Sequence, residues 1–202
     1  MTGKNILVLA GSTRRESLNR KLASAVATQL IGKGMHVTFL DIAEHDLPLY
    51  NGDLEVQHGI PDTAHRLHEA FRTHQGVFIA SPEYNANVSP IVSNAIAWVS
   101  RVQKDGGIQS AFGNPVYALG SASPGGFGGY RGLMALRNML ELGLGARVLP
   151  AMVTVGMAHE AINEHGQIIS PMPRQMLDRL VSQLDEALAH CVTNNSPTSA
   201  IA

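Results

Sequence analysis

Short apolar runs alternate with longer segments of helical spacing along almost the whole chain, and this alternation limits the possible folds more than any other feature. The predicted strands cover residues 5–10, 37–40, 76–80, 115–120 and 148–155. Several of these runs are rich in valine and isoleucine, and they lack the alternating polar positions of a strand with one face in water. They therefore predict strands that are buried on both faces of a sheet.

The segments between the runs carry apolar residues every three or four positions, which is the spacing of an amphipathic helix. Predicted helices cover residues 18–32, 63–74, 90–102, 132–144 and 171–190. The first helix is predicted to bury one stripe that includes Leu22, Leu30 and Ile31. Parallel neighbours need crossover connections, and these are almost always right-handed. Strands and helices in strict alternation thus predict a doubly wound α/β sheet of five parallel strands with helices on both faces.

Chain length points to one domain. A chain of 202 residues is long enough for one substantial core and short for two. We expect a single domain over residues 1–192. The segment 193–202 is rich in Asn, Ser, Thr and Pro, and we expect it to be a disordered tail because it has few apolar residues to pack.

The charge balance excludes several classes of partner. Lysine and arginine number 15 against 16 aspartate and glutamate, so no basic excess is available for a nucleic acid. No apolar stretch approaches the roughly 20 residues that a membrane span requires, and the amino terminus has no cleavable leader pattern. We expect a cytoplasmic protein that binds small molecules and has neither nucleic acid nor membrane as a partner.

The loop after the first predicted strand has the parts of a phosphate site. Residues 11–19 pass directly into a helix, whose first backbone amides lack partners within the helix. A terminal monophosphate has three oxygens and nearly two charges, so a loop with many side-chain donors suits it. An ordinary turn in which Ser17 only caps the helix is the alternative. The candidate donors are the hydroxyls of Ser12, Thr13 and Ser17 and the guanidinium of Arg14 or Arg15.

Two further loops are predicted to lie at the same edge of the sheet, beyond the carboxyl ends of the strands. Residues 81–87 offer the aromatic side chain of Tyr84 and several backbone amides. Residues 121–129 contain four glycines, which allow a backbone to approach a flat ligand closely. A packing aromatic and a flexible loop would explain each loop alone. The three loops together predict a site for a ligand with a phosphate and a planar ring.

Four motifs in these regions resemble those of one known family. They are Gly11-Ser12-x-Arg14-x-x-Ser17-x-Asn19, Pro82-Glu83-Tyr84-Asn85, residues 123–129 followed by Arg131, and the weaker Leu47-Pro48-Leu49-Tyr50-Asn51. They resemble the NADPH-dependent FMN reductase family, which includes bacterial azoreductases and quinone and chromate reductases of flavodoxin-like fold. The likeness covers roughly residues 5–190.

The resemblance implies an enzyme that passes a hydride from NADPH or NADH to non-covalently bound FMN and then electrons to a small acceptor. The acceptor would be a quinone, an azo compound, chromate or free flavin. The resemblance also implies a homodimer or homotetramer, and it assigns no catalytic side chain, because the flavin carries the chemistry. The implied FMN phosphate site is Ser12, Arg14, Ser17 and Asn19, with Asn19 partly holding the loop's shape, and the implied ring and ribityl site is Pro82, Glu83, Tyr84, Asn85, Ser121, Ser123, Gly125 and Gly126.

Other functions stay open on the residues alone. Asp41 ends a predicted strand where dinucleotide-binding folds keep an acid for the adenosine ribose, which would suit an NAD-binding dehydrogenase. A flavodoxin-type electron carrier is a second alternative, although such carriers are usually far more acidic than a net charge of −1. A metal site is disfavoured, because only His65 and His68 among the nine histidines have helical ligand spacing and no cysteine or suitably placed carboxylate completes the set.

Overall fold

The centre of the protein is a sheet of five parallel strands, described by a computed structural model over residues 3–193. The strand order across the sheet is β2 (His36–Asp41), β1 (Asn5–Ala10), β3 (Gly76–Ala80), β6 (Val116–Ala122) and β7 (Arg147–Val155). The chain begins near the middle of the sheet, winds to one edge, and then crosses back to wind towards the other. The winding therefore reverses between β1 and β3. This order confirms the predicted doubly wound, flavodoxin-like fold.

Helices cover both faces of the sheet. On one face lie α1 (Leu18–Gly32) and α7 (Pro171–Thr193), and on the other lie α3 (Asp62–Arg72), α4 (Pro90–Val99) and α5 (Tyr130–Asn138). Shorter elements are α2 (Gly52–His58), α6 (Ala158–Ala161), a π-helical turn at Met139–Gly143, and the antiparallel strands β4 (Glu83–Tyr84) and β5 (Asn87–Val88). Within the described residues, no helix has the length and apolar character needed to cross a membrane.

The sheet separates two hydrophobic cores. Alternate residues of β1 point to opposite faces, so that Ile6 and Val8 pack under α1 and α7 while Leu7 and Leu9 pack under the other helices. All four side chains are almost fully buried. A central strand needs apolar residues at nearly every position, which explains the apolar runs of β1 and β3. The prediction of burial on both faces is wrong for the edge strand β2, where Thr38 and Phe39 are exposed because no strand or helix among the described residues covers them fully.

Predicted and observed boundaries agree most closely near the centre of the sheet. The predicted elements at residues 5–10, 18–32 and 76–80 match β1, α1 and β3 residue for residue. The helices α2 and α6 and the β4–β5 hairpin were not predicted, because segments of two to seven residues carry no readable period. The domain limits stay a prediction, since the proposed tail lies outside the described residues except for Thr193, where α7 ends.

The apolar stripe predicted on α1 is wrong at one position. Leu22 and Leu30 are fully buried, as expected, but Ile31 is 59% exposed. Adjacent helical residues are turned by about 100° from one another, and Ile31 lies on the side of Leu30 that is turned away from the sheet. The core takes Leu30, and Ile31 points to solvent in the last turn of the helix.

This difference between neighbours gives a direct test of the fold. We expect Leu30→Ala to lower the free energy of unfolding by about 2 to 5 kcal/mol, because it leaves a cavity under α1. The matched control Ile31→Ala should change that free energy by less than about 0.5 kcal/mol, since its side chain is largely in water already. Urea denaturation of both variants measures the difference, and equal losses would contradict the placement of α1.

Candidate functional site

Three loops meet at the carboxyl edge of the sheet, where the winding reverses. The first loop (residues 11–17) follows β1, the β4–β5 hairpin follows β3, and the glycine loop (residues 123–129) follows β6. A cleft of about 540 Å³ opens between the first loop and the hairpin. A second cavity of about 510 Å³ lies between α1 and α7 and includes none of these loops. Residues that line the cleft include Ser12, Thr13, Leu47, Leu49, Tyr84 and Asn85.

The first loop is held tightly against the middle of the sheet. The Gly11 amide donates to the Ala80 carbonyl at 2.8 Å, and the Ser89 hydroxyl donates to the Gly11 carbonyl at 3.2 Å. A Cβ atom on Gly11 would lie 2.4 Å from Cγ2 of Val92, so only glycine allows this approach. Sequence reasoning missed Ser89, although a serine directly before Pro90 is a recognisable helix start.

The first loop carries several hydrogen-bond donors, of which Ser12 and Thr13 line the cleft. Ser12 and Ser17 are buried, whereas Thr13 and Arg14 are exposed. The Ser17 hydroxyl oxygen accepts the Arg20 amide at 3.2 Å, so Ser17 does cap α1, and its own hydroxyl proton is still available. The first turn of α1 has no acidic side chain to cancel its positive potential. An anion is therefore favoured at this end of the cleft.

Asn19 does not face the cleft. Its Nδ2 donates to the Ala122 carbonyl and its Oδ1 accepts the Ala122 amide, both at 2.9 Å, and its side chain is buried. These two bonds fasten the first turn of α1 to the carboxyl end of β6. Asn19 thus fixes the position of the first loop relative to the glycine loop.

The hairpin projects an aromatic ring into the cleft. Its turn residues Asn85 and Ala86 have φ values of 52° and 58°, the left-handed conformation that a tight hairpin turn requires. Asparagine tolerates this conformation well, while alanine adopts it only at a cost. Tyr84 is 45% exposed at the tip, so it is not a packing aromatic of the core. Pro82 and Asn85 line the cleft beside it.

Glu83 lies behind the hairpin and faces α5. Its Oε1 accepts from Nε of Arg131 at 2.9 Å, its Oε2 accepts the Gly132 amide at 3.0 Å, and its side chain is 10% exposed. Burial raises the pKa of the Glu83 carboxyl, but the Gly132 amide and the Arg131 guanidinium together outweigh burial and hold that pKa below its ordinary value. Glu83 is therefore ionised at neutral pH.

The glycine loop packs against the end of β7 and leaves its middle exposed. The Ser123 amide donates to Val155, and the Ser123 hydroxyl oxygen accepts the Gly125 amide at 3.1 Å. Gly125 and Gly126 are exposed at the edge. Ser121, by contrast, is fully buried, and its hydroxyl has no hydrogen-bond partner among the described residues. Gly129 packs directly against the Ser121 hydroxyl, since a Cβ atom on residue 129 would overlap that hydroxyl.

The segment after β2 forms the outer wall of the cleft. Asn94 fastens it by donating to the Pro48 carbonyl at 2.9 Å and accepting the Tyr50 amide at 2.7 Å. The indole of Trp98 donates to the same Pro48 carbonyl at 2.7 Å. Leu49 is left 80% exposed. Sequence reasoning missed the contacts of Asn94 and Trp98. An asparagine in a mainly apolar helix is a usable signal for such a contact, because a buried amide needs hydrogen-bond partners.

The Asp41 carboxylate already has two partners within the protein, which argues against its use in a nucleotide site. Its carboxylate pairs with Arg20 and accepts the Ala43 amide at 3.1 Å, and the residue is buried. This arrangement disfavours the dehydrogenase alternative, which needs a free acid at the end of β2. In the part of the chain that the structure describes, no group of three or more His, Cys, Asp or Glu side chains is arranged to hold a metal ion.

The chain is similar in sequence and in fold to known NAD(P)H-dependent reductases. Residues 4–160 match the family model described as NADPH-dependent FMN reductase. The chain is 36% identical over 136 residues to a quinone reductase from Pseudomonas putida, which covers 67% of this chain and 69% of that protein. It is 30% identical to an NAD(P)H-dependent FMN reductase from Pseudomonas aeruginosa over 89% of this chain and 92% of that protein. The solved structure of FerB, a flavoenzyme NAD(P)H:(acceptor) oxidoreductase from Paracoccus denitrificans, superposes with a TM-score of 0.73 and 26% identity over 91% of this chain and 98% of that one.

The double hydrogen bond of Asn19 gives a prediction about the site's scaffold. Asn19→Ala leaves the buried amide and carbonyl of Ala122 without their partners, so we expect the free energy of unfolding to fall by at least about 2 kcal/mol. Asn138→Ala, on the exposed side of α5, is the control and should change it by less than about 0.5 kcal/mol. Urea denaturation of the ligand-free protein measures both. A loss within that small range for Asn19→Ala would show that these bonds do not hold the two elements together.

Proposed function

Because the chain belongs to the NADPH-dependent FMN reductase family, we propose that its three carboxyl-edge loops hold FMN without a covalent bond. The chain is an NAD(P)H-dependent oxidoreductase of this family. One observation carries the placement of the cofactor: an anion-favouring helix start and a cleft of about 540 Å³ lie side by side where the winding of the sheet reverses. Doubly wound sheets bind their ligands at this point.

The donors in the first loop suit the phosphate of FMN. Ser12 and Ser17 supply hydroxyls, the first turn of α1 supplies backbone amides, and Arg14 supplies a positive charge from the exposed side. The loop contains a single glycine and many side-chain donors, which fits a terminal monophosphate better than a bridging pyrophosphate. Asn19 takes part by holding this loop in place and not by contact with the ligand.

The hairpin and the glycine loop are proposed to hold the ring and the ribityl chain. Pro82, Tyr84 and Asn85 present one edge, and Ser123, Gly125 and Gly126 present backbone groups from the other loop. Apolar side chains such as Leu47 and Leu49 keep water from part of the cleft. Glu83 lies behind the hairpin and Ser121 lies in β6 beneath Gly129, so neither side chain is proposed to contact the ligand. When bound, FMN supplies the two-electron redox chemistry that connects NAD(P)H to the acceptor.

The acceptor is proposed to enter the cleft beside Tyr84. The cleft has mainly apolar walls, which suits flat molecules such as quinones, azo compounds and free flavin, and we include chromate as a further candidate. No side chain at the cleft is required to act as an acid or base. Glu83 is ionised and turned towards α5, so it holds no proton to donate.

We also propose that copies of this chain associate as a homodimer or homotetramer in the cytoplasm, without nucleic acid or membrane partners. The support is an exposed apolar stretch next to the cleft: Leu49, Leu54 and Val56 all face solvent, and α2 buries none of its residues. A near-neutral chain with 15 basic and 16 acidic residues does not favour a nucleic acid or a charged lipid surface. A partner copy would cover the exposed side chains beside the site.

The phosphate assignment is tested by comparing FMN with riboflavin. We expect Arg14→Ala to weaken FMN binding by about 1.5 to 3 kcal/mol, the range for hydrogen bonds to a charged group, and to leave riboflavin binding nearly unchanged. Arg15→Ala is measured alongside, because Arg15 is the other candidate guanidinium in this exposed loop, and we expect it to leave both Kd values nearly unchanged. Quenching of flavin fluorescence gives the Kd values. Equal losses for the two flavins would mean that Arg14 supports the loop and does not bind the phosphate.

The shared cleft leads to a kinetic prediction. The same space beside Tyr84 has to admit the nicotinamide and the acceptor, so the first must leave before the second enters. Initial rates measured over a grid of NAD(P)H and quinone concentrations should give parallel double-reciprocal lines. Intersecting lines would contradict this mechanism, since they require both substrates on the protein at once. The same assay with azo compounds, chromate and free flavin ranks the acceptors.

A further inference from the structure

We propose that Glu83 is a positioning residue that sets the gap between the hairpin and the glycine loop, and that it acts through Arg131 and the first turn of α5. This role differs from the ligand contact that the motif resemblance implies for Glu83. The inference rests on the proposed function, because the gap matters only if a flat ring occupies it.

The first link is the cap that Glu83 provides to α5. Gly129 precedes this helix in a left-handed conformation, with φ of 81°, and has no side chain to cap it. Oε2 of Glu83 reaches across from the hairpin and accepts the Gly132 amide at 3.0 Å. A carboxylate at a helix start is stabilised both by this hydrogen bond and by the positive end of the helix dipole. The hairpin therefore supplies the cap that the sequence of α5 lacks.

The second link is the close approach of α5 to the hairpin. A Cβ atom on Gly132 would lie 2.9 Å from the Asn87 carbonyl oxygen and 3.0 Å from Cβ of Glu83. Backbone therefore lies directly on backbone at this point, with no room for a side chain. Any larger residue would push α5 away from the hairpin, and the glycine loop, which leads into α5, would move with it.

The third link continues to the exposed part of the glycine loop. Oε1 of Glu83 accepts from Nε of Arg131 at 2.9 Å, and the Arg131 guanidinium lies over the Phe127 ring, 5.3 Å from its centre. The Phe127 side chain is 72% exposed, so within the described residues the Arg131 guanidinium is its main contact. A carboxylate on one loop thus reaches the middle of the other loop through a single guanidinium.

Both carboxylate oxygens of Glu83 are used in these contacts, and Glu83 does not line the cleft. A residue of this kind should affect the ring site as a whole and not the phosphate site. Its removal should weaken FMN, riboflavin and lumiflavin by a similar factor, because the three ligands share only the ring. Loss of Arg14 is expected to act on FMN alone.

The experiment measures the Kd of each of these three flavins for a set of variants of the full chain by fluorescence quenching. We expect Glu83→Ala to raise all three Kd values by a similar factor of ten or more. Arg131→Ala should raise them in the same pattern, and the double variant should be no weaker than Glu83→Ala alone. Glu83→Gln should recover part of the loss, since its amide oxygen still accepts from Gly132. Glu141→Gln, which breaks a partly buried ion pair with Arg137 away from the site, is the control and should change no Kd.

Three results would overturn the proposal: a loss confined to FMN, losses for Glu83→Ala and Arg131→Ala that multiply in the double variant, or losses no larger than those of Glu141→Gln. If Glu83→Ala does not fold, Gly132→Ala tests the same gap with the carboxylate still present, and it should weaken the three flavins equally. A role confined to folding would lower the unfolding midpoint of the flavin-free protein and leave the Kd values unchanged. Failure of the parent protein to bind FMN would instead reject the proposed function.

Discussion

Burial of the sheet on both faces is the constraint from which the rest of the structure follows. Central strands such as β3 expose no side chain to water, so helices must cover each face and the connections between strands must cross over the sheet. The winding then has to reverse once, and it does so between β1 and β3. The loops that follow the strands on either side of this reversal open at the same edge, which gives the cleft its position before any polar residue is considered.

Polar side chains then give the cleft its shape. Asn19 fastens α1 to β6, Asn94 fastens the outer wall to α4, and Glu83 fastens the hairpin to α5. Each of them is wholly or mostly removed from water, so each hydrogen bond lies in a medium where an unpaired group would be costly. The apolar cores specify which helices lie on which face, while these few contacts specify how the loops stand relative to one another.

The sequence was sufficient for the sheet, the long helices and the position of the three loops at the carboxyl edge, because each of these is set by a pattern that repeats over many residues or by a motif of adjacent residues. It was not sufficient for the direction in which a side chain points. The motif around Glu83 indicates a loop near the ligand, but whether the carboxylate faces the ligand or α5 depends on a helix almost fifty positions later in the chain. The contacts of Asn94 could not be predicted for the same reason, because its partners lie in the segment after β2, more than forty positions earlier in the chain. The burial of Ile31 was predicted wrongly, because the sequence does not define the edge of an apolar stripe on a helix. Only the packing against neighbouring elements determines which residue is the last to be buried.

The contacts of Asn19 and Asn94 have a consequence for how such a chain can diverge over time. Both amides bond to main-chain atoms, of Ala122 in one case and of Pro48 and Tyr50 in the other. Every amino acid offers the same carbonyl oxygen, and all except proline offer the same amide hydrogen. The partner positions are therefore free to accept substitutions as far as these bonds are concerned, whereas the two asparagines are not. Replacement of either asparagine should therefore disturb this edge of the sheet more than replacement of a partner residue by one of similar size and polarity.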